Sequence, residues 1–194
     1  MTQTTPNLAE INKAQLVPLR AAMYDFSEAG VRAALAAISS PDAIFHACHP
    51  FGDLQGANAF YDGLYAPLFA AVPDLERRDY IVAAGPTAEG ANWVGCAGFY
   101  TGRFVAPWLD IPPTGHLMHM RFHEFYRFED GQLVEVQCLW DLPEVMMQAN
   151  VWPLSPSLGR EWLVPGPATQ DGLRTGPYDA KTSAASCDLV LQAL

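Results

Sequence analysis

Charge is scarce in this chain. Of 194 residues only 16% are Asp, Glu, Lys or Arg, and 21 acidic residues outweigh 11 basic ones, leaving a formal charge of −10. So acidic a surface repels nucleic acid and anionic bilayers, and neither is an expected partner. Long apolar runs are also missing: no stretch reaches the roughly 18 uninterrupted apolar residues that a membrane-spanning helix needs. The opening residues, MTQTTPNLAEINKAQ, lack the basic-then-apolar layout of a secretory signal. Cys48, Cys96, Cys138 and Cys187 are scattered without paired spacing. That pattern suits free thiols in a reducing compartment, so the cytoplasm is the expected location. No GxSxG, GxGxxG or phosphate loop occurs, and no cysteine sits in a local catalytic signature.

Half of the sequence is hydrophobic and 11% is aromatic, with 15 Gly and 16 Pro. This is enough to bury one core and leave apolar surface for a pocket or a subunit interface. Asn7 caps a first helix running from Leu8 towards Phe26, with Glu10 completing a capping box and Pro18 expected to kink or divide it. Ser27 caps a second helix, Glu28 to Ile38. Ala43 to Pro50 reads as a short strand, and Gly56 opens a third helix that ends at Pro73-Asp74. Strands are expected over Glu76–Ala84, Trp93–Phe104, His116–Phe128 and Gln132–Trp140, followed by a short helix over Leu142–Asn150. Helices followed by strands define an α+β order. The expected architecture is a curved antiparallel sheet wrapped around helices, a cone with an apolar pocket for a small organic ligand. Residues 1–150 form this domain. Residues 151–194 form a Pro/Gly-rich extension whose two tryptophans, Trp152 and Trp162, predict packing on the body or on a partner subunit.

Taking Glu129-Asp130-Gly131 as a three-residue hairpin loop, Phe128 faces Gln132, Gln137 faces His123, and Asp141 faces His119. Alternation then puts His119, Arg121, His123, Gln137 and Asp141 on one face, and Glu124, Tyr126, Cys138 and Trp140 on the other. Asp141 has two readings. It caps the last helix, or it is a partly desolvated carboxylate that exchanges protons with a carbon acid, tuned by His119 or His123. Gln137, Arg121, His46, Trp93, Tyr100 and Trp108 are candidate substrate contacts, the aromatics by stacking. The five histidines form two groups, His46/His49 and His116/His119/His123, but a spacing of three on a strand points neighbours to opposite faces. No metal site is expected from them.

Gly56–Phe60, Phe69–Asp74, Phe104–Gly115, Glu124–Gly131 and Trp140-Asp141, in this order and spacing, resemble SnoaL-like polyketide cyclases over residues 8–150. The resemblance implies a cone of the ketosteroid-isomerase-like superfamily, a homodimer and no cofactor. It also implies that Asp141 acts as general acid/base in an intramolecular aldol closure, with His119, His123 and Gln137 as its polar companions. Relatives of this kind include isomerases, lyases and non-catalytic binding modules. The extension after Asn150 and the histidine-rich segment 46–51 depart from the family pattern.

Overall fold

The computed structural model describes residues 7–155, 166–174 and 176–193. Trp162 lies outside them. The chain opens with α1 (Leu8–Tyr24), capped by Asn7, whose side chain accepts from Ala9 N at 2.7 Å while Glu10 accepts from Asn7 N at 3.3 Å. Of the two outcomes expected at Pro18, division is ruled out: α1 runs through it as one helix. Ala14, whose carbonyl loses its bond there, and Pro18 itself both lie on the exposed face, so water can satisfy the freed oxygen. Ser27 caps α2 (Glu28–Ile38), which passes directly into β1 (Ser39–Ala47), and β2 (Gly52–Gln55) folds back on it. Next come α3 (Ala57–Phe60), a π-helical turn (Tyr61–Tyr65) and α4 (Ala66–Ala71). The strands β3 (Glu76–Pro86), β4 (Asn92–Arg103), β5 (Leu117–Glu129) and β6 (Gln132–Trp140) follow, then α5 (Leu142–Gln148). In the extension, Asp171–Leu173 forms a 3-10 turn and α6 (Ala180–Ala193) has no buried residue.

One six-stranded sheet results, in the order β2-β1-β6-β5-β4-β3. It is mixed rather than wholly antiparallel, because β1 lies parallel to β6. The helices cover one face. Leu16, Leu19 and Met23 of α1, Val31 and Leu35 of α2, and Tyr65 and Leu68 meet Val94, Tyr100, Phe122, Tyr126, Val136 and Trp140 of the sheet in a single core. Gly98 permits β3 and β4 to approach: a Cβ there would sit 2.1 Å from the Arg78 carbonyl oxygen and 2.8 Å from Phe122.

The β5–β6 hairpin corrects the expected register. Its loop has two residues, Asp130 (φ 46°) and Gly131 (φ 78°), and Glu129 faces Gln132. An Asp-Gly pair suits this left-handed turn. A bulge then leaves Arg127 opposite Glu135, so Gln137 faces Phe125 rather than His123, and Asp141 N donates to Arg121 O at 2.9 Å. Loop and bulge together shift the pairing by two residues, and a shift of two returns every side chain to its face. The two sets of residues therefore stay together, but the set turned towards the helices is Glu124, Tyr126, Cys138 and Trp140.

Candidate functional site

Alternation along β4, β5 and β6 drives a group of polar side chains into the aromatic interior. Glu124, 0% exposed, accepts from Tyr100 OH at 3.0 Å and Trp140 Nε1 at 2.9 Å on Oε1, and from Tyr126 OH at 2.5 Å and Arg77 on Oε2. Arg77 reaches in from β3, lies 4.2 Å over the Phe122 ring, and also donates to Asp79 at 3.0 Å, which in turn accepts from Arg20 of α1 at 3.0 Å. Two arginines and two carboxylates alternate from the edge of α1 to the centre of the cone, so the buried row has no net charge. Tyr65, brought inward by the π-helical turn, adds its hydroxyl at 3.2 Å from Tyr100 OH.

Burial sets the protonation states here. It pushes the Tyr65, Tyr100 and Tyr126 phenols well above their usual value, reinforced by the Glu124 charge, so all three remain donors at neutral pH. The Cys96 thiol is pushed up to about 12 by burial, and Cys138 also rises, so neither is a ready nucleophile. For Arg77, burial favours loss of the charge, but Glu124 and then its other partners outweigh it. For Asp79, burial raises the carboxyl, yet Arg77 and then Arg20 hold it below its ordinary value. A carboxyl depressed in the folded state lends stability that is complete above the unfolded value near 4 and disappears as the pH falls through the folded value. Thermal unfolding followed from pH 7 to pH 3 is expected to lose midpoint only below about pH 4, and less so in Asp79→Asn. An equal acid loss in that variant contradicts the assignment.

Trp140 connects this cluster to the end of the cone. Its ring lies 5.3 Å from Tyr100, 5.5 Å from Tyr65, 5.8 Å from Phe51 and 6.3 Å from Trp108. Trp108 belongs to the segment 104–115, which is fastened at both ends: Val105 N donates to Ala71 O, and Phe104 N to His116 O. Within it, Trp108 and Ile111 exchange backbone bonds of 3.1 and 2.9 Å around Leu109 (φ 51°) and Asp110 (φ 61°). On the far side, a cavity of about 480 Å³ lined by Val17, Arg20, Tyr24, Arg78, Asp79 and Leu173 overlies the outer end of the ion row.

The residues singled out in the sequence fall into separate places. Asp141, half-buried at the end of β6, caps α5 by accepting from Glu144 N at 3.2 Å and binds Arg121 Nε at 2.9 Å. His119 lies beside this pair, its Nε2 3.2 Å from Glu144 Oε1. His119, Arg121 and Asp141 thus share one rim cluster. His46 sits apart with Asp53 at 2.8 Å and Glu135 at 3.8 Å, where Gln137 also bonds Glu135 at 3.1 Å, and His123 is exposed. Trp93 lies on the open face of the sheet, whereas Tyr100 and Trp108 are interior. Glu124 and Arg77 are not among the site residues expected from the sequence. Their signal was a charge in strict alternation with apolar neighbours, Phe122-x-Glu124-x-Tyr126 on β5 and Leu75-x-Arg77 at the start of β3.

Fold and interior together define a small α+β cone with an aromatic inner wall and the fully enclosed carboxylate of Glu124. The sequence profile of the SnoaL-like polyketide cyclases matches residues 18–149, and the chain belongs to that family. Solved structures of the same fold include AclR from Streptomyces galilaeus, a proposed hydroxylase (20% identity over 78% of this chain and 92% of that one, TM-score 0.62). They also include a proposed SnoaL-like polyketide cyclase from Jannaschia sp. CCS1 (21%, 79% and 99%, TM-score 0.59) and IdmH from Streptomyces antibioticus, a proposed polyketide cyclase (20%, 71% and 97%, TM-score 0.57). No functionally curated protein matches the chain. Among the described residues no helix is long and apolar enough to cross a membrane.

Proposed function

We propose that this protein is a polyketide-cyclase-type acid/base catalyst acting on a small, flat, largely apolar carbonyl compound held inside the cone, with Glu124 as the proton-handling carboxylate. The observation that carries the reading is the convergence on Glu124 of the Tyr100, Tyr126, Trp140 and Arg77 donors beside an aromatic wall. A carboxylate so saturated becomes a base only when one donor turns away. The Tyr100 hydroxyl, which rotates about its C–O bond and has Tyr65 OH beside it at 3.2 Å, is the donor assigned to turn. Swung from Glu124 Oε1 to a carbonyl oxygen, it stabilises the developing enolate and frees the lone pair that takes the α-proton. The enolate carbon then bonds to a second carbonyl carbon, and Glu124 returns the proton to the new alkoxide. Nothing is oxidised or reduced in this sequence, so it calls for no electron carrier.

A second reading places the base at Asp141. It is favoured by the family position of that residue and by the cluster it forms with Arg121, His119 and Glu144. Exchange of the α-protons of 2-tetralone in D2O, followed by NMR, separates both readings from a non-catalytic binding module. The protein is expected to accelerate the exchange in proportion to its concentration, and exchange no faster than in buffer sinks the catalytic readings.

The open face of the sheet supports a homodimer. Ile44, Ile81, Leu117, Phe125 and Leu139 stand there 40–72% exposed, beside charges of both signs such as Arg127 and Glu135. An exposed apolar face of this kind, with its nearby charges already paired within the chain, suits a two-fold pairing with a second copy. Sedimentation is expected to give a dimer for the wild type and a monomer for Leu139→Asp; a monomeric wild type contradicts the pairing.

A further inference from the structure

Three buried side-chain atoms among the described residues have no hydrogen-bond partner: Gln15 Oε1, Ser39 Oγ and Trp108 Nε1. Only Trp108 belongs to a residue more than nine-tenths buried, at 3% exposure. An indole N–H removed from water and left unbonded is disfavoured, and native structures keep such groups rare. The backbone that holds it there is itself strained. Leu109 and Asp110 both adopt left-handed φ angles, a conformation that glycine takes readily and leucine rarely does. Relaxing this turn would release Trp108, yet reciprocal bonds with Ile111 and the fastening to Ala71 keep it inward. Its ring faces company suited to a flat molecule, with Phe51 and Trp140 each 6.3 Å away. The other indole in the group, that of Trp140, is already committed to Glu124.

We infer that Trp108 Nε1 is the ligand-recognition donor of the cone: it bonds an oxygen of a planar aromatic ketone or quinone-like ligand that enters between Phe51, Trp108 and Trp140. Trp108 thereby selects oxygenated polycycles over hydrocarbons of equal size. A site that buries a lone donor discriminates strongly, because an analogue without the acceptor leaves the donor unpaired. Two chemical steps are thus divided between two groups. Trp108 fixes one ligand oxygen at the aromatic end, and the Tyr100–Glu124 pair meets a reacting carbonyl deeper in. This inference rests on the proposed use of the cone interior as the ligand site.

Titration of intrinsic fluorescence with 9-fluorenone and with fluorene, which share one ring system and differ by one oxygen, tests it. Wild type is expected to bind fluorenone about tenfold more tightly, the weight of one net hydrogen bond. Trp108→Phe keeps an aromatic ring and deletes the N–H. It is expected to bind the two compounds within about twofold of each other. An unchanged preference in Trp108→Phe overturns the inference, as does failure of the wild type to bind either compound. Catalytic failure reads out separately: a protein that keeps the Trp108-dependent preference but does not accelerate α-proton exchange retains the recognition donor and loses only the proposed chemistry.

Discussion

Arg77→Met is expected to lower the unfolding free energy by about 3–5 kcal/mol, the usual result of removing one partner from a fully buried ion pair. The side chain of Arg77 is 0% exposed, as is that of Glu124, and Asp79 is only 5% exposed. Methionine fills similar volume, so the loss arises from electrostatics rather than from a cavity. Two carboxylates would be left with only Arg20 at the outer end and hydroxyl and indole donors at the inner end. Adding Glu124→Gln in the same chain is expected to recover part of the loss, because the inner charge that needed Arg77 is then gone. Urea unfolding of the wild type, both single variants and the double variant gives the coupling directly. Additive single effects would mean that the pair is not energetically linked.

Glu124→Gln is expected to reduce α-proton exchange about 10²–10⁴-fold, the contribution ordinarily made by a positioned acid/base group. The amide is nearly isosteric, but it cannot accept the proton, and its N–H₂ brings donors to a place already crowded with them. Tyr100→Phe serves as companion. It removes only the hydroxyl that bridges Tyr65, Arg77 and Glu124, leaving the ring that packs on Phe122 at 4.9 Å. Exchange in Tyr100→Phe is expected to fall about 10- to 10²-fold with the fold intact, which separates chemistry from loss of structure if Glu124→Gln is poorly folded.

Local signals in the sequence predicted local structure well. Asn7 with Glu10, and Ser27 before Glu28, placed both helix starts, since a cap is satisfied by residues within one turn. The hairpin was legible in its faces and not in its pairing. The turn is one residue shorter than expected, a bulge adds a further residue, and the two changes restore the alternation. What period-two reasoning cannot supply is which face meets the helices. His119, Arg121 and His123 alternate with Phe122, Glu124 and Tyr126, and each set contains polar groups. The choice is made by α1 and α2, distant in sequence, together with β1, which enters parallel to β6. The same distance in sequence concealed Arg77 and Glu124 as partners, because nothing within either strand announces a counterion 47 positions away. Asp141 illustrates the converse. Its capping bond to Glu144 N was readable from the Asp-Leu-Pro-Glu sequence alone, and the structure adds Arg121 as its ion-pair partner.

The most direct test of an interior proton carrier is a side-by-side measurement of 2-tetralone α-proton exchange in the wild type, Glu124→Gln and Asp141→Asn at equal folded concentration. Asn can still accept the bond from Glu144 N, so α5 keeps its cap in the last variant. Loss of exchange in Glu124→Gln, with Asp141→Asn retaining most of the wild-type rate, is the result predicted. Full exchange in Glu124→Gln together with its loss in Asp141→Asn would contradict the account and move the chemistry to the rim.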